Sequence, residues 1–188
     1  GTPTLSKCIA RGNTSDGVYV NSSTGNIVVT MDGCSLHQNG SDGIEVYSQS
    51  GIYSATANLK NCIVTTNASR GVYRNSSAGI VATTTTYSDV WNNPTNFSGT
   101  AAGAGCISAN PLYVAAPGNL KLQVGSVCID AGTAAGAPNH DIEGVLRPIN
   151  GDGINAAEYD MGAYENAPAS FCGDGTQNAG EVCDEGAL

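Results

Sequence analysis

The sequence contains three segments that superpose without a gap: CIARGNTSDGVYV at residues 8–20, CSLHQNGSDGIEV at 34–46 and CIVTTNASRGVYR at 62–74. Each reads Cys, four residues, Asn, three residues, Gly and then an aliphatic residue. The three cysteines are 26 and 28 residues apart, and a degenerate fourth copy follows at residues 88–93, with Asp89 lying 27 residues after Cys62. The chain therefore carries an internal repeat of about 27 residues.

The composition of each repeat favours short strands. Runs of β-branched residues, such as residues 26–30 and 79–83, alternate with clusters of Gly, Asn and Ser, and no apolar period of 3.6 residues lasts two turns. Helical repeats are excluded on this ground, and leucine-rich repeats are shorter and need more leucines per unit. In a parallel β-solenoid, equivalent residues stack about 4.8 Å apart in successive coils. The sequence predicts this all-β fold, with Cys, Asn and Gly stacked in columns.

Residues 100–165 break the repeat and contain five motifs: NPLYV at 110–114, GNLKL at 118–122, GSVCIDAG at 125–132, DIEGVLRP at 141–148 and DMGAYE at 160–165. In this order they resemble the C-terminal end of secreted bacterial right-handed parallel β-helix proteins of the pectate-lyase-like superfamily. The resemblance covers residues 1 to about 165. It implies a right-handed parallel β-helix whose far end is closed by an irregular C-terminal cap, and it implies no activity.

The chain divides into three parts by sequence. Residues 1–99 form the coils, residues 100–167 form the last coil and the cap, and residues 168–188 form a linker and a Cys-rich tail. The tail, FCGDGTQNAGEVCDEG at 171–186, resembles the first half of a repeat found in tandem on extracellular bacterial proteins. We therefore expect an extracellular or cell-surface location and a longer parent polypeptide.

The charge of the chain argues against two classes of partner. Seven Lys and Arg against sixteen Asp and Glu give a net charge of −9 and a pI near 4.3. Nucleic acids and anionic membranes both require a basic surface. No apolar run approaches the roughly 20 residues that a transmembrane helix needs. We expect neither nucleic-acid binding nor membrane insertion.

The sequence gives little evidence for a catalytic site. A lyase that cleaves acidic polysaccharides needs a strong base and further cations, and the coils supply only Lys7, Arg11, Lys60, Arg70 and Arg74. A glycoside hydrolase needs two carboxyl groups about 5–9 Å apart. Asp16 and Asp42 are equivalent in successive repeats, but both precede a turn Gly, and the third repeat has Arg70 there. We interpret the two acids as turn residues and expect Asp42 and Arg70 to form a surface ion pair. No catalytic or cofactor-binding residue is assigned.

One loop gathers oxygen ligands suited to calcium. Asn150, Asp152, Asn155 and Asp160 lie in a Gly-rich stretch, although the third acid and the spaced terminal Glu of a known calcium loop are missing. The alternative is a loop of Asx turns whose acids are solvated. Calcium is the one cofactor that the sequence suggests.

The seven cysteines divide into two groups. Cys8, Cys34 and Cys62 share one repeat position, so we expect buried, reduced thiols that pack as small apolar groups. The remaining four predict two disulfide bridges, Cys106 with Cys128 and Cys172 with Cys183.

Six Asn-x-Ser/Thr sequons are candidate glycosylation sites: Asn13, Asn21, Asn39, Asn67, Asn75 and Asn96. Three of them, however, are the same repeat position, where stacked side-chain amides would explain the asparagines equally well. Trp91, the single tryptophan, either packs beside the last coil or stacks on a sugar.

Three classes of function stay open. The favoured class is a non-catalytic structural or adhesion module of a larger cell-surface or filament-forming protein. The second is the C-terminal part of a polysaccharide lyase or glycoside hydrolase with active coils upstream, and the third is a carbohydrate-binding module. Residues 1–6 lead into the first repeat without a capping helix, so the expected partners are other coils of the parent chain or like subunits, and glycans for the third class.

Overall fold

The computed structural model describes residues 1–49, 51–76, 79–153 and 156–167. Its first twelve strands form four coils with three strands in each. The strands are β1 (Thr4–Ser6), β2 (Ile9–Arg11), β3 (Val18–Ser22), β4 (Ile27–Asp32), β5 (Ser35–His37), β6 (Ile44–Ser48), β7 (Ser54–Lys60), β8 (Ile63–Thr65), β9 (Arg70–Asn75), β10 (Ile80–Thr86), β11 (Asp89–Trp91) and β12 (Thr95–Ser98).

Equivalent strands of successive coils pair in parallel and make three four-stranded sheets. Sheet A has the order β1-β4-β7-β10, sheet B the order β2-β5-β8-β11, and sheet C the order β3-β6-β9-β12. The predicted all-β parallel solenoid is confirmed. Within the described ranges, no helix is long and apolar enough to span a membrane.

The corner between sheets A and B has the same backbone conformation in every coil. Lys7, Gly33, Asn61 and Tyr87 occupy it, with φ angles of 56°, 61°, 51° and 46°. Left-handed backbone turns the chain sharply, and it is costly for residues that carry a Cβ. Three residues other than glycine nevertheless adopt this conformation, because a coil must turn at that point to stay in register with its neighbours.

The interior of the solenoid is apolar because alternate residues of each strand point inward. Burial of each large aliphatic side chain contributes about 1.5–3 kcal/mol, and stacking places like residues in contact between coils. The buried residues of this core include Val29, Met31, Leu36, Ile44, Val46, Leu59, Val64, Val72 and Val90.

The predicted asparagine column is a continuous hydrogen-bonded ladder. Asn13 Nδ2 donates to Asn39 Oδ1 at 2.8 Å, Asn39 Nδ2 to Asn67 Oδ1 at 2.8 Å, and Asn67 Nδ2 to Asn93 Oδ1 at 2.9 Å. Asn93 Nδ2 then donates to Asn96 Oδ1 of its own coil, which ends the ladder. All donors point the same way, from the first coil toward the last.

The predicted glycine column makes room for this ladder. A Cβ built on Gly43 would lie 2.8 Å from Asn67 Nδ2 and 2.4 Å from Val64 Cγ1, and one built on Gly17 would lie 2.7 Å from Asn39 Nδ2. Each glycine therefore admits the asparagine of the following coil.

The fourth repeat is offset by one position from the sequence alignment, which made Asp89 equivalent to Cys62. Asp89 pairs with Ile63, so the residue stacked on Cys62 is Ser88, whose Oγ accepts the Cys62 N–H at 3.0 Å. Asp89 instead lies on the outer face of sheet B, where it is completely buried and its Oδ1 accepts the Ala109 N–H.

The C-terminal region lies along the side of the solenoid. Residues 100–107 follow the last coil, with Tyr87 N–H donating to Ala104 O and Ile107 bridging to Asp89. An antiparallel hairpin, β13 (Tyr113–Ala115) and β14 (Asn119–Leu122), comes next. Residues 123–153 and 156–167 then pack irregularly on the outer face of sheet B. Their Cys128, Ile129 and Met161 form a second core with Ile63 of β8 and Leu122 of β14. We expected a cap over the far end, but it also extends back to the second coil, where Ala163 N–H donates to Ser35 Oγ.

Candidate functional site

A groove of about 320 Å³ lies between sheet B and the hairpin. Its floor is one row of outward-facing side chains, His37, Thr65 and Trp91, which are paired in register across β5, β8 and β11. Its far wall is formed by residues 110–113 with Ala116 and Gln123. The repeat fixes the floor and the hairpin supplies the wall.

Contacts within the groove orient its side chains. His37 Nδ1 lies 2.9 Å from Thr65 Oγ1, and the His37 ring meets Tyr113 edge-on with 5.4 Å between ring centroids. Burial, with the nearby Arg11 charge, lowers the pKa of His37 below its usual value. The imidazole is therefore neutral at neutral pH.

Sequence reasoning singled out Trp91 but missed the rest of this groove. A signal was present in the repeat alignment, since His37, Thr65 and Trp91 are each three residues after the first position of their repeat. Tyr113, Asn110 and Gln123 had no such signal, because the hairpin lies outside the repeat.

The residues predicted to bind calcium are only partly together. Asp160 is buried, and its carboxylate accepts the N–H groups of Asp130 and Asn166. Asp152 is exposed, Asn150 Oδ1 accepts the Gly153 N–H, and Asn155 lies outside the described residues. The loop is organised by Asp130, which sequence reasoning did not single out and whose carboxylate accepts from Gly151, Asp152 and Glu158. Calcium binding stays a prediction.

Residues of two motifs noted in the sequence, DIEGVLRP at 141–148 and DMGAYE at 160–165, form one buried polar network. Asp141 Oδ1 accepts from Glu143 and Val145, and Arg147 pairs with Glu165. Burial, together with the neighbouring Glu165 carboxylate, raises the pKa of Asp160 to about 8. The carboxylates of these acids accept backbone N–H groups of the cap, which in a strand or helix would be paired with backbone carbonyls.

Five cysteines fall in the described residues, and all five are free thiols. Cys34 and Cys62 are buried in the solenoid core and Cys8 is half-buried at its edge. The predicted Cys106–Cys128 bridge is wrong in this structure: Cys106 Sγ lies 3.2 Å from Thr85 O on sheet A, whereas Cys128 belongs to the second core under the cap. Cys172 and Cys183 lie outside the described residues.

The sequons differ in whether their amides are accessible. Asn39 and Asn67 are each 1% exposed and use Nδ2 in the ladder, so the folded chain argues against glycosylation there. Asn13 and Asn96 also belong to the ladder, while Asn75 Nδ2 donates to Glu45 and Asn21 is half-buried on sheet C. Glycosylation of these four stays a prediction.

The acidic pair and four of the five cations of the coils, all but Lys7, are engaged in structural contacts. Asp16 Oδ1 accepts the Asp42 N–H, and Arg70 binds Asp42 through two side-chain bonds of 2.9 and 2.8 Å. Asp42 is completely buried, so this pair is not the surface pair that we expected. Lys60 pairs with Asp32, Arg11 donates to Pro117 O, and Arg74 donates to Gly99 O.

Comparison with known proteins agrees with this architecture. Residues 1–109 match the family model described as right handed beta helix region, which is more than half of the 188-residue chain. Neither the curated proteins nor the solved structures contained a match. The matched range contains all twelve strands of the solenoid. The chain therefore belongs to the right-handed β-helix family.

Proposed function

We propose that this chain is a non-catalytic structural module of a larger cell-surface or filament-forming protein, and that further coils stack on its N-terminal coil. The open end of the asparagine ladder carries the proposal. Asn13 Nδ2 donates to Asn39, while no hydrogen bond to Asn13 Oδ1 comes from the described residues. An asparagine at the same place in another coil would donate to this oxygen as Asn13 does to Asn39.

The backbone of the first coil supports the same proposal. Strands β1, β2 and β3 each have a partner on one side only within the described part of the chain. Val18 N–H donates to Gly43 O, and backbone groups alternate in direction along a strand, so the Tyr19 N–H faces the open edge. Leu5, Cys8 and Ala10 are only half-buried at this end. An unpaired edge beside incompletely buried apolar groups favours β-augmentation by another coil.

The polar chemistry of the coils supports a non-catalytic role. Arg11, Lys60, Arg70 and Arg74 are held by carbonyl or carboxylate oxygens, and Asp42 is held by Arg70. Groups held in this way are poor candidates for a base or a nucleophile. A surface low in charge and rich in Ser, Thr and Asn suits an external scaffold, and an extracellular or cell-surface location is part of the proposal.

Sedimentation of the 188-residue chain over a range of concentrations tests the stacking. We expect reversible association, and we expect Tyr19→Pro to abolish it, because proline removes the donor at the open edge without removing a bond to β6. Tyr19→Ala keeps the N–H and is the matched control. A chain that stays monomeric at millimolar concentration contradicts stacking between subunits. Cleavage of polyuronates or other glycans by the purified chain contradicts the non-catalytic role.

A further inference from the structure

The groove between sheet B and the hairpin combines an aromatic face with polar groups of fixed direction. We propose that this groove binds an uncharged hexopyranose unit of a glycan, with the ring stacked on Trp91. This site is independent of the proposed stacking of coils, since it lies on the side of the solenoid and not at its open end.

The apolar part of the groove suits the C–H face of a sugar ring. Trp91 is half-buried beside Pro111, Leu112 and Ala116, so part of the indole is held by protein and part faces the groove. A planar aromatic ring at a site that is apolar on one side and wet on the other is a typical anchor for an amphipathic ligand.

Hydrogen bonds within the protein fix the orientation of the polar side chains in the groove. Asn110 Oδ1 accepts the Leu112 N–H at 3.0 Å, which leaves its NH₂ group as a donor. Gln123 Nε2 donates to Tyr113 O at 2.8 Å, which leaves its Oε1 as an acceptor. His37, whose Nδ1 lies 2.9 Å from Thr65 Oγ1, is only 5% exposed and shapes the floor beneath these two groups. Donor and acceptor positions fixed in this way match sugar hydroxyls, which both donate and accept.

The charge of the site selects an uncharged sugar. None of the ten groove residues is Asp, Glu, Lys or Arg. The closest cation on the same row, Arg11, is bonded to Pro117 O, and the His37 imidazole is neutral. A uronate would lose its hydration without gaining a cation, in a chain of net charge −9. Acidic polysaccharides should therefore bind worse than neutral ones.

The size of the groove limits the ligand. A volume of about 320 Å³ is at the lower end of the range of about 300–1,000 Å³ for small-molecule sites. The groove therefore holds one or two sugar rings of a longer chain, and affinity for a single ring should be weak.

Tryptophan fluorescence provides a direct test, because Trp91 is the only tryptophan. Titration with cellotriose, maltotriose, mannotriose, galactotriose and chitotriose should give a saturable change in emission with at least one of them, and trigalacturonate should give none. By calorimetry, Trp91→Ala should weaken binding about tenfold or more, which corresponds to about 1.4 kcal/mol. Gln123→Ala, at an exposed position, should weaken it without affecting folding. Tyr19→Ala, which removes an exposed aromatic side chain outside the groove, should bind like the unmodified chain.

Three results would overturn the proposal. The first is a folded chain that binds none of the five neutral sugars at concentrations up to about 20 mM, where a Kd in the millimolar range would be detected. The second is tighter binding of trigalacturonate than of every neutral sugar. The third is unchanged sugar binding in both Trp91→Ala and Gln123→Ala.

Discussion

The Nε atom of Arg147 lies 3.0 Å from Oε2 of Glu165, and neither side chain reaches solvent. Arg147 Nη2 also donates to the carbonyl oxygens of Gly162 and Tyr164, and Glu165 Oε1 accepts the Ile149 N–H. The pair thus joins residues 147–149 to residues 162–165, two segments that have no strand in common. It is the centre of the polar network that holds the cap together.

We expect Glu165→Gln to destabilise the chain by about 3–5 kcal/mol, because it leaves the buried Arg147 charge without its counter-ion. The free energy of unfolding in urea is the measurement. Lys121 and Glu143 form a closer pair at 2.6 Å, but both side chains are nearly half exposed. Glu143→Gln is therefore the control and should cost less than about 1 kcal/mol. Equal losses for the two variants would contradict a structural role for the buried pair.

Stability should fall as the pH rises. Burial raises the pKa of Asp160 from 3.8 to about 8 and that of Asp89 from 3.8 to about 7. Between the unfolded and folded values the folded chain binds the extra proton, so the free energy of unfolding decreases with pH across this window. The slope is up to about 1.4 kcal/mol per pH unit for each group.

Urea unfolding at pH 5 and pH 8 measures this dependence. Asp160→Asn should flatten it, whatever the variant does to stability at a single pH. A chain that is more stable at pH 8 than at pH 5, or an unchanged slope in the variant, would show that Asp160 does not hold a proton in the folded state.

Replacing an asparagine in the middle of the ladder should destabilise the chain much more than replacing the one at its end. Asn67 Oδ1 accepts from the backbone and the side chain of Asn39, and its Nδ2 donates to Asn93 and Leu36 O. Asn67→Ala leaves several of these buried groups unpaired, at about 1–3 kcal/mol each. Asn13→Ala removes only the exposed end. Thermal melting of the two variants should show a large loss for the first and a small one for the second. Similar losses would mean that the ladder adds little to stability.

The sequence predicted the coils well and the cap poorly, for a physical reason. A solenoid repeats its contacts at each turn, so the Asn and Gly columns are visible as a period. The contacts of the cap occur once and join distant residues, such as Ala163 with Ser35, 128 positions apart. Asp130 shows the consequence. Its carboxylate accepts the N–H groups of Gly151, Asp152 and Glu158, but these contacts join positions about 20 to 30 residues apart and leave no period in the sequence.

Calcium binding can be tested without a further structure. If the loop at residues 150–160 holds Ca²⁺, the melting temperature should rise with added calcium and fall with EDTA, and Asp152→Ala should remove both effects. Gly136→Asn, in an exposed loop outside this acidic stretch, is a suitable control because asparagine tolerates its φ of 72°. A melting temperature that responds to neither calcium nor EDTA rejects the site.

Gly43 should not tolerate even one added methyl group. In Gly43→Ala the new Cβ would lie 2.4 Å from Val64 Cγ1, 2.7 Å from Gly71 O and 2.8 Å from Asn67 Nδ2. Two of these atoms belong to the neighbouring coil's backbone and ladder, so relief requires the third coil to move away. Overpacking of this kind costs about 1–3 kcal/mol and occasionally more. Gly25→Ala, where a Cβ meets nothing within 4 Å, is the matched control and should leave stability nearly unchanged. Urea unfolding distinguishes the two, and a Gly43→Ala chain as stable as Gly25→Ala would show that coil spacing is not set by contact between the glycine and asparagine columns.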